Sequence, residues 1–277
     1  MGTVLIVLAV LVFICIALFL LALFKNDGAD IDGQNPYLHP QAAADILPED
    51  MVEFAENMPK GVKREKSIYE SFIKRPGDLA VSFLGIVLLS PLFAALCLAI
   101  YIDDPGPVFF TQNRVGRDKK LFRLHKFRSM KMSTPHDTPT HMLENPEQYI
   151  TKVGSFLRKH SLDELPQIWD IFRGKMSIIG PRPALWNQAD LVNAREKYGV
   201  NSLMPGLTGL AQINGRDELE IPKKVEYDAE YAEKIGFLFD TKCFLGTVLS
   251  VIKSDGIVEG GTGSIGEECK IREEAKK

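Results

Sequence analysis

Two long runs of apolar residues dominate the hydrophobic pattern of this chain. The first, residues 3–24, carries no charge and is long enough to cross a bilayer core, which takes about 20 helical residues. It has no basic segment before it and no small-residue cleavage site after it, so the pattern favours an uncleaved signal anchor. Lysines and arginines follow it, which predicts an external N-terminus and a cytoplasmic location for the rest of the chain.

The second apolar run, Leu79–Ile102, is interrupted at its centre by Ser90-Pro91. Proline removes one helical amide donor and collides with the carbonyl four residues back, here that of Val87. Ser90 can bond a freed carbonyl and deepen a bend. Two structures fit these residues: a kinked helix that crosses the membrane, which the residues alone favour, and a helical hairpin that enters and leaves by one face.

Shorter periodic segments fill the remaining chain. The polar residues 25–66 predict a linker with one short helix near Glu49–Asn57. Beyond the second run, the pattern predicts strands at Val108–Thr111 and Leu121–Phe127, then helices over Pro146–Lys159, from Asp163 to near Gly174, and over Ala184–Tyr198, Lys223–Lys234 and Asp240–Lys253. The predicted fold class is therefore mainly α with short β segments.

Composition excludes some functions and shows one local feature. The net charge of -3 provides no overall field that would attract nucleic acid. The four cysteines form no C-x-x-C pair, which argues against a disulfide framework and a zinc site. Basic residues are concentrated between Gln112 and Met132, where eight stand against one acidic residue.

Adjacent carboxylates mark the most informative segment, residues 158–183. Asp163 and Glu164 lie between arginines, at the start of an apolar stripe with helical spacing formed by Leu165, Ile168, Trp169 and Phe172. An acidic pair of this kind near a membrane suits chemistry on a phosphate held by a divalent metal. The alternative is structural, because Ser161 and Glu164 also match the S-x-x-E capping box of an ordinary helix start.

A series of sequence motifs, in order along the chain, includes these features. They are RPGD (75–78), the run with central Ser90-Pro91, GPVFFTQNRVGRD (106–118), KFRSM (126–130), SLDELPQ (161–167), GPRP (180–183), PGLTGLAQINGR (205–216) and FLFDTK (237–242). Together they resemble the bacterial sugar transferases known as monotopic phosphoglycosyl transferases, over about residues 67–256. One departure is Leu210, where the family most often has tryptophan, and it bears on interfacial anchoring or substrate packing.

The resemblance implies a reaction and a topology. Such enzymes transfer a sugar-1-phosphate from a nucleoside-diphosphate sugar, here a UDP-sugar, to polyprenyl (undecaprenyl) phosphate, and so initiate glycoconjugate assembly. Their Ser-Pro helix is re-entrant, with amphipathic helices lying in the interface around a small cytoplasmic catalytic domain. We therefore expect a bilayer-bound protein of the bacterial inner membrane that does not bind nucleic acid. The sequence leaves oligomeric state open, with a dimer as one option.

The resemblance also assigns residues. Asp163 is expected to be the nucleophile that carries the phosphosugar, with Glu164 beside it, and both carboxylates are expected to hold Mg²⁺. Ser90 and Pro91 are expected to break the membrane helix, and Arg75 and Asp78 to pair at its mouth, with an ordinary surface pair as the alternative. The expected phosphate or nucleotide contacts are Arg158, Arg182, Arg216, Lys126 and Arg128, and for the last two a lipid headgroup is the competing partner.

This reading divides the chain into five parts. They are an N-terminal transmembrane helix (1–24), a linker (25–66), the basic segment with the re-entrant helix (67–104), the transferase domain (105–260) and a charged tail (261–277). Two other functions use the same residues: a metal-dependent membrane phosphatase or pyrophosphatase acting through the carboxylates, and a non-catalytic module that binds anionic lipid or nucleic acid through the basic cluster at 112–132.

Overall fold

The computed structural model describes residues 64–134, 146–215 and 219–253, together with six isolated positions nearer the N-terminus, namely Ala17, Phe19, Leu21, Leu23, Asn35 and Tyr37. The predicted helix near Glu49–Asn57 and the charged tail lie outside these residues. So does most of the predicted span 1–24, of which four positions are described as helical.

The described chain is mostly helical, with two small sheets. A π-helical turn, Tyr69–Lys74, leads into the long helix α1, Arg75–Asp103. Two strands follow, β1 (Phe109–Val115) and β2 (Leu121–Phe127), then helices α2 (Lys152–Lys159) and α3 (Gln167–Phe172). The remaining elements are β3 (Ser177–Ile179), α4 (Ala189–Glu196), β4 (Gly206–Thr208), α5 (Leu210–Ile213), α6 (Ile221–Lys234) and α7 (Phe237–Lys253).

Helix α1 is apolar along its whole length and buries one stripe. Its span with the preceding turn, Tyr69–Asp103, is the candidate among the described residues that is long and apolar enough to cross a membrane. The buried stripe repeats at helical spacing and packs on the domain: Asp78, Ser82, Ile86, Ser90, Phe93, Leu96 and Ile100. Most of the large apolar side chains outside this stripe are exposed, which a soluble helix could not sustain without a partner surface.

The predicted break at Ser90 and Pro91 does not end the helix. Pro91 lies inside α1, which continues to Asp103. Ser90 Oγ donates a 2.8 Å hydrogen bond to the carbonyl of Val87, the group that proline leaves without an amide partner. The serine therefore satisfies a backbone carbonyl inside an apolar helix and allows the helix to pass through the proline.

Two short sheets bring distant segments together. Strands β1 and β2 form an antiparallel hairpin in which Phe109 faces Phe127 and Val115 faces Leu121. Strands β3 and β4 pair in parallel, with Ser177 opposite Gly206. The second sheet was not predicted, because three-residue strands show no alternation that can be recognised in a sequence.

Two predicted helices begin later than the sequence indicated. Residues 146–159 divide into a 3₁₀ turn and α2, which starts after Thr151; the Thr151 hydroxyl caps it by accepting from the Gly154 amide at 2.9 Å. Residues 184–198 begin with extended chain, because Ala184 accepts a 2.9 Å hydrogen bond from Val115 of β1. In both places backbone hydrogen bonds to another segment outweigh helical periodicity: residues 149–151 bond to Ser129 and Lys131, and Ala184 bonds to β1.

Leu210 lies in the protein core. It is 7% exposed and packs in a cluster with Val200 and Tyr231. Its burial is not compatible with a role in interfacial anchoring, and the expected effect of this position on substrate packing stays a prediction.

Close packing at Gly154 gives a test of the fold. A Cβ at Gly154 would lie 2.0 Å from the carbonyl oxygen of Ser129, whereas a Cβ at Gly77 would meet no atom within 4 Å. We expect Gly154→Ala to lower the unfolding free energy of the detergent-solubilised protein by about 1–3 kcal/mol, because the Ser129 backbone cannot move freely. Gly77→Ala should be neutral or slightly stabilising. Equal stability of the two variants would contradict the packing of α2 against Ser129.

Candidate active site

The carboxylate pair lies on a tight turn rather than at a capped helix start. Ser161 adopts a left-handed conformation with φ 54° and makes no capping hydrogen bond through its side chain. Leu162–Glu164 then form one 3₁₀ turn, and α3 begins after Pro166. The predicted capping box is wrong, because the left-handed serine turns away from the helix and Glu164 bonds to cations instead.

Two cations from distant segments hold Glu164. Lys126 Nζ of β2 and Arg182 Nη2 of the loop after β3 each lie 2.9 Å from Glu164 Oε1. Lys126 Nζ is also 3.7 Å from Asp163 Oδ2. Asp163 itself is 4% exposed. The site thus places two adjacent carboxylates and two cations within ion-pair range of one another.

These cations determine the protonation state of Glu164. Burial alone would raise the pKa of this carboxyl, but Arg182 and Lys126 outweigh burial and hold the pKa well below its ordinary value of about 4.3. Glu164 is therefore ionised throughout the physiological pH range. An ionised carboxylate that already faces cations is suited to binding a metal or a positively charged group.

The turn is anchored to the apolar helix by the stripe that follows it. Trp169 is 5% exposed and lies in the same cluster as Phe93 of α1. The side chains of Leu165, Ile168 and Phe172 pack against that cluster as well. This confirms the predicted apolar stripe and places the carboxylates where the polar domain meets the surface of α1.

Some of the other predicted contact residues lie in the site, and others join the surrounding elements. Arg182 and Lys126 reach the carboxylates, as described above. Arg158 Nε donates to Ser129 Oγ at 2.8 Å, which ties α2 to the segment after β2. Arg216 lies outside the described residues.

Arg128 contacts the end of α1 rather than the carboxylates. Its Nη1 lies 3.1 Å from Asp104 Oδ2, and Nη2 donates to the Asp104 carbonyl. Because the side chain is only 7% exposed, it is committed to this contact. These contacts give Arg128 a structural role, and its predicted contact with a phosphate or headgroup stays a prediction.

Arg75 and Asp78 bind other elements rather than each other. The Arg75 guanidinium donates to the carbonyls of Ile171 and Phe172 at 2.6 and 2.8 Å, at the end of α3. Asp78 accepts from the amide of Ile178 in β3 at 3.1 Å. The predicted mouth pair is therefore absent from the described contacts, because both side chains fasten the start of α1 to the domain.

A buried histidine and aspartate support the site and were missed by sequence reasoning. A hydrogen bond of 2.7 Å joins Asp170 of α3 to the His125 ring Nδ1, and Asp170 also accepts from the His125 amide at 3.0 Å. Burial raises the pKa of Asp170, and the hydrogen bonds from His125 oppose that change. His125 immediately precedes Lys126, so this pair fixes β2 against the helix that follows the carboxylates. The sequence signal that could have revealed this pair was Asp170, an acidic residue inside the apolar stripe of α3.

The residues present fit a magnesium ion. Asp163 and Glu164 offer carboxylate oxygens, and Mg²⁺ typically takes one or two carboxylates and completes its shell with phosphate oxygens and water. No cluster of three or more His, Cys, Asp or Glu side chains that could hold a metal occurs in the described part of the chain. A metal at this pair would therefore depend on a bound phosphate for its remaining ligands.

Comparison with known proteins identifies the family. Residues 69–254, more than half of the chain, match the family described as bacterial sugar transferase. The carboxylate pair of this chain, the cations that bind it and helix α1 all lie within the matched range. This chain belongs to the bacterial sugar transferase family.

Individual relatives are similar over the same region. The UDP-glucose:undecaprenyl-phosphate glucose-1-phosphate transferase of Escherichia coli is 41% identical over 183 residues, which are 64% of this chain and 39% of that protein. Exopolysaccharide production protein ExoY of Sinorhizobium fredii is 34% identical over 197 residues, 66% of this chain and 87% of ExoY. An Aeromonas hydrophila UDP-N-acetylgalactosamine-undecaprenyl-phosphate N-acetylgalactosaminephosphotransferase is 33% identical over 192 residues, 67% of this chain and 45% of that protein. The chain thus spans much less than the full length of two of these relatives.

The ion pairs of Glu164 predict a pH dependence of stability. Because the pKa of Glu164 is depressed in the folded state, its stabilising contribution is complete above the ordinary glutamate pKa and is lost as the pH falls toward the depressed value. We expect Glu164→Gln to lower the unfolding free energy by about 1–3 kcal/mol at neutral pH, because it leaves Lys126 and Arg182 without this partner charge. The difference from wild type should shrink below about pH 4.

Glu226→Gln is the matched control for this measurement. Glu226 pairs with Lys223 at 2.7 Å, but its side chain is 65% exposed. Such a surface pair contributes about 0–1 kcal/mol, so stability should change little. Denaturant titrations of both variants across the pH range provide the comparison. A Glu164→Gln effect as small as that of Glu226→Gln would contradict the described ion pairing.

Proposed function

We propose that this protein transfers a sugar-1-phosphate from a UDP-sugar to undecaprenyl phosphate and thereby initiates exopolysaccharide or related glycoconjugate assembly. The observation that carries the proposal is the carboxylate pair, buried Asp163 and partly buried Glu164, beside Lys126 and Arg182 at the base of an apolar helix. The names of the relatives support the same donor and acceptor classes, with UDP-glucose the first sugar donor to test.

The cations would orient the donor diphosphate. Lys126 and Arg182 already face the carboxylates, and an arginine fork suits bidentate binding of phosphate oxygens. Arg114, Leu124, Gln167 and Pro183 surround the ionic residues in a narrow crevice. Donor phosphates bound by Lys126 and Arg182 would lie near Asp163, whose Oδ2 is 3.7 Å from Lys126 Nζ.

Transfer would proceed in two displacements through Asp163. Its carboxylate oxygen bonds to the phosphorus that carries the sugar, and the bond from that phosphorus to the bridging oxygen breaks, so UMP leaves with that oxygen and its electron pair. A phosphate oxygen of undecaprenyl phosphate then bonds to the same phosphorus, and the Asp163 carboxylate leaves. This covalent route divides one difficult transfer into two steps at a single site.

Asp163 and Glu164 would hold Mg²⁺ during this reaction. When bound, the ion neutralises phosphate charge and lowers the repulsion between two anionic reactants. Glu164 suits this role because its carboxyl stays ionised. Lys126 and Arg182 would supply further positive charge where the leaving phosphate accumulates negative charge.

A re-entrant arrangement of α1 is supported by contacts at both of its ends. Arg75 at the start binds the end of α3, while Asp103 at the other end accepts from the Val153 amide at 2.8 Å. A straight helix of this length would reach about 40 Å, more than a hydrocarbon core. One polar domain can hold both ends only if both lie on one side of the membrane, which we propose is the cytoplasmic face of the inner membrane.

Exposed apolar side chains on other helices support an interfacial position for the domain. Helix α7 exposes Phe237, Leu238, Leu245 and Leu249, and the turn before α1 exposes Phe72. Amphipathic helices with such faces bind in the headgroup region. The carboxylates and cations of the site would then lie near the depth in the membrane at which the phosphate group of the acceptor lies. We assign the transferase domain to residues 105–260 and the membrane segment to 67–104.

Donor turnover tests the proposed chemistry. With UDP-glucose, Mg²⁺ and undecaprenyl phosphate, purified protein should release UMP, and a panel including UDP-N-acetylgalactosamine should reveal the preferred sugar. Asp163→Asn should lower the rate by at least about a thousandfold, because the amide cannot form the intermediate. Glu226→Gln, at a side chain 65% exposed on α6, is the control that should retain activity.

Three outcomes of this assay would point elsewhere. Sugar phosphate released without acceptor would indicate a phosphatase or pyrophosphatase. Full activity in Asp163→Asn would exclude the covalent route. A wild-type protein that binds anionic lipid but turns over no donor would favour the binding module. Mass spectrometry after donor treatment without lipid should show the phosphosugar adduct in wild type and not in Asp163→Asn.

Membrane topology can be tested with paired cysteines. Lys66 and Lys131 are exposed and flank α1 on its two sides in the chain. In a background without the native cysteines, Lys66→Cys and Lys131→Cys should both react with an impermeant maleimide in inverted membrane vesicles and neither in intact spheroplasts. Reaction of one cysteine from each side would show a crossing helix.

A further inference from the structure

Two buried residues lie well before the region shared with the family. Asn35 is fully buried and Tyr37 is 8% exposed, although the family match begins only at residue 69. The Tyr37 amide donates to Asn35 Oδ1 at 3.0 Å, so the two residues form a local turn. We refer to Asn35 and Tyr37 as the N-terminal anchor.

Asn35 binds the turn that connects β1 to β2. Its Nδ2 donates to the carbonyl oxygen of Lys119 at 2.8 Å. Asp118 and Lys119 both have positive φ, 55° and 63°, a conformation that disfavours residues with a Cβ. A hydrogen bond from a buried amide to this carbonyl stabilises a strained hairpin turn. The turn determines where β2, and therefore Lys126, lies.

Tyr37 binds the loop that follows Arg182. Its hydroxyl donates to the Trp186 carbonyl at 2.9 Å, and its ring packs with Val115 and Ala184 in one apolar cluster. Burial is the main cause of a raised pKa at Tyr37, so the hydroxyl stays protonated and remains a donor at neutral pH. The tyrosine thus joins the loop after Arg182 to the end of β1.

The two segments held by the anchor carry the two cations of the site. Lys119 lies two residues before the strand that carries Lys126, and Trp186 lies four residues beyond Arg182. A third contact reinforces their connection, because Arg114 Nη1 of β1 donates to the Pro183 carbonyl at 3.0 Å. Displacement of either segment would move one cation relative to Glu164 and Asp163.

We propose that Asn35 and Tyr37 are positioning residues that set the spacing of Lys126 and Arg182 for the donor diphosphate. The proposal rests on the proposed function, since it assigns these cations to the donor. It makes the segment before the family domain a functional part of the active site, although neither anchor residue touches the carboxylates.

Kinetics of full-length variants test this role. Tyr37→Ala should raise the KM for the UDP-sugar roughly tenfold, because misplaced cations bind the diphosphate less well. Tyr37→Phe keeps the ring in its cluster but loses the bond to Trp186, so its KM should rise about two- to fivefold. Asn35→Ala should resemble Tyr37→Ala. Tyr198→Ala, at a tyrosine that is 55% exposed, is the matched control and should leave KM unchanged.

The split between KM and kcat separates positioning from simple destabilisation. Loss of folded protein would lower the apparent kcat and leave KM constant, and this result would overturn the proposal. Should Tyr37→Ala fail to fold, Tyr37→Phe carries the test, and an unchanged KM in Tyr37→Phe would then overturn it.

Hydrogen exchange separates failure of the anchor from failure of the proposed function. In Tyr37→Ala, amides in residues 117–121 and 183–188 should exchange faster than in wild type, and this measurement does not depend on any substrate. Wild-type protein that turns over no UDP-sugar would overturn both proposals. An active wild type whose anchor variants show unchanged exchange and unchanged KM would overturn the anchor alone.

Discussion

Glu164, held between Lys126 and Arg182, is the interaction on which the arrangement of the site depends. The lysine comes from β2 and the arginine from the loop after β3, so one carboxylate connects two sheets that share no strand. Removing one partner from such a group leaves charge partly buried and uncompensated, which is costly. Other contacts hold each cation in place. The His125–Asp170 pair fixes β2, which carries Lys126, and the pairing of β3 with β4 fixes the loop that carries Arg182.

A second constraint is the junction between a polar site and an apolar helix. Charged residues at the two ends of α1 bind backbone groups of the domain, so polar contacts set its orientation while the apolar side chains outside its buried stripe remain exposed. Arg75, Asp78 and Arg128 all serve this attachment. These polar contacts at the ends of α1 therefore determine where the carboxylates lie relative to its exposed apolar side chains.

Sequence reasoning identified the long elements and the acidic pair, because both leave strong local signals. The apolar length of α1, the short apolar segment that forms β2 and the stripe after Asp163 can each be recognised within a short stretch of chain. It could not recover contacts made across the fold. Arg128 and Arg75 look like phosphate ligands or surface pairs in the sequence, yet their partners are backbone carbonyls 24 and 96 residues away. The capping box failed for a related reason: Ser161 is left-handed, a backbone state with no signature in its side chain.

Charge balance gives a physical reason for the divalent metal in the proposed reaction. Asp163 and Glu164 contribute two carboxylates, and Lys126, Arg182 and Arg114 contribute three cationic groups, so the charges at the site largely offset one another. A UDP-sugar brings a diphosphate with about two more negative charges into a place that water reaches poorly, where uncompensated charge is expensive. Arg158 adds positive charge but is tied to Ser129. A divalent cation held by the two carboxylates would offset the donor's negative charge at the reacting phosphorus and release Lys126 and Arg182 to contact the donor. The carboxylates that stabilise the fold through their ion pairs would thus also serve the proposed reaction.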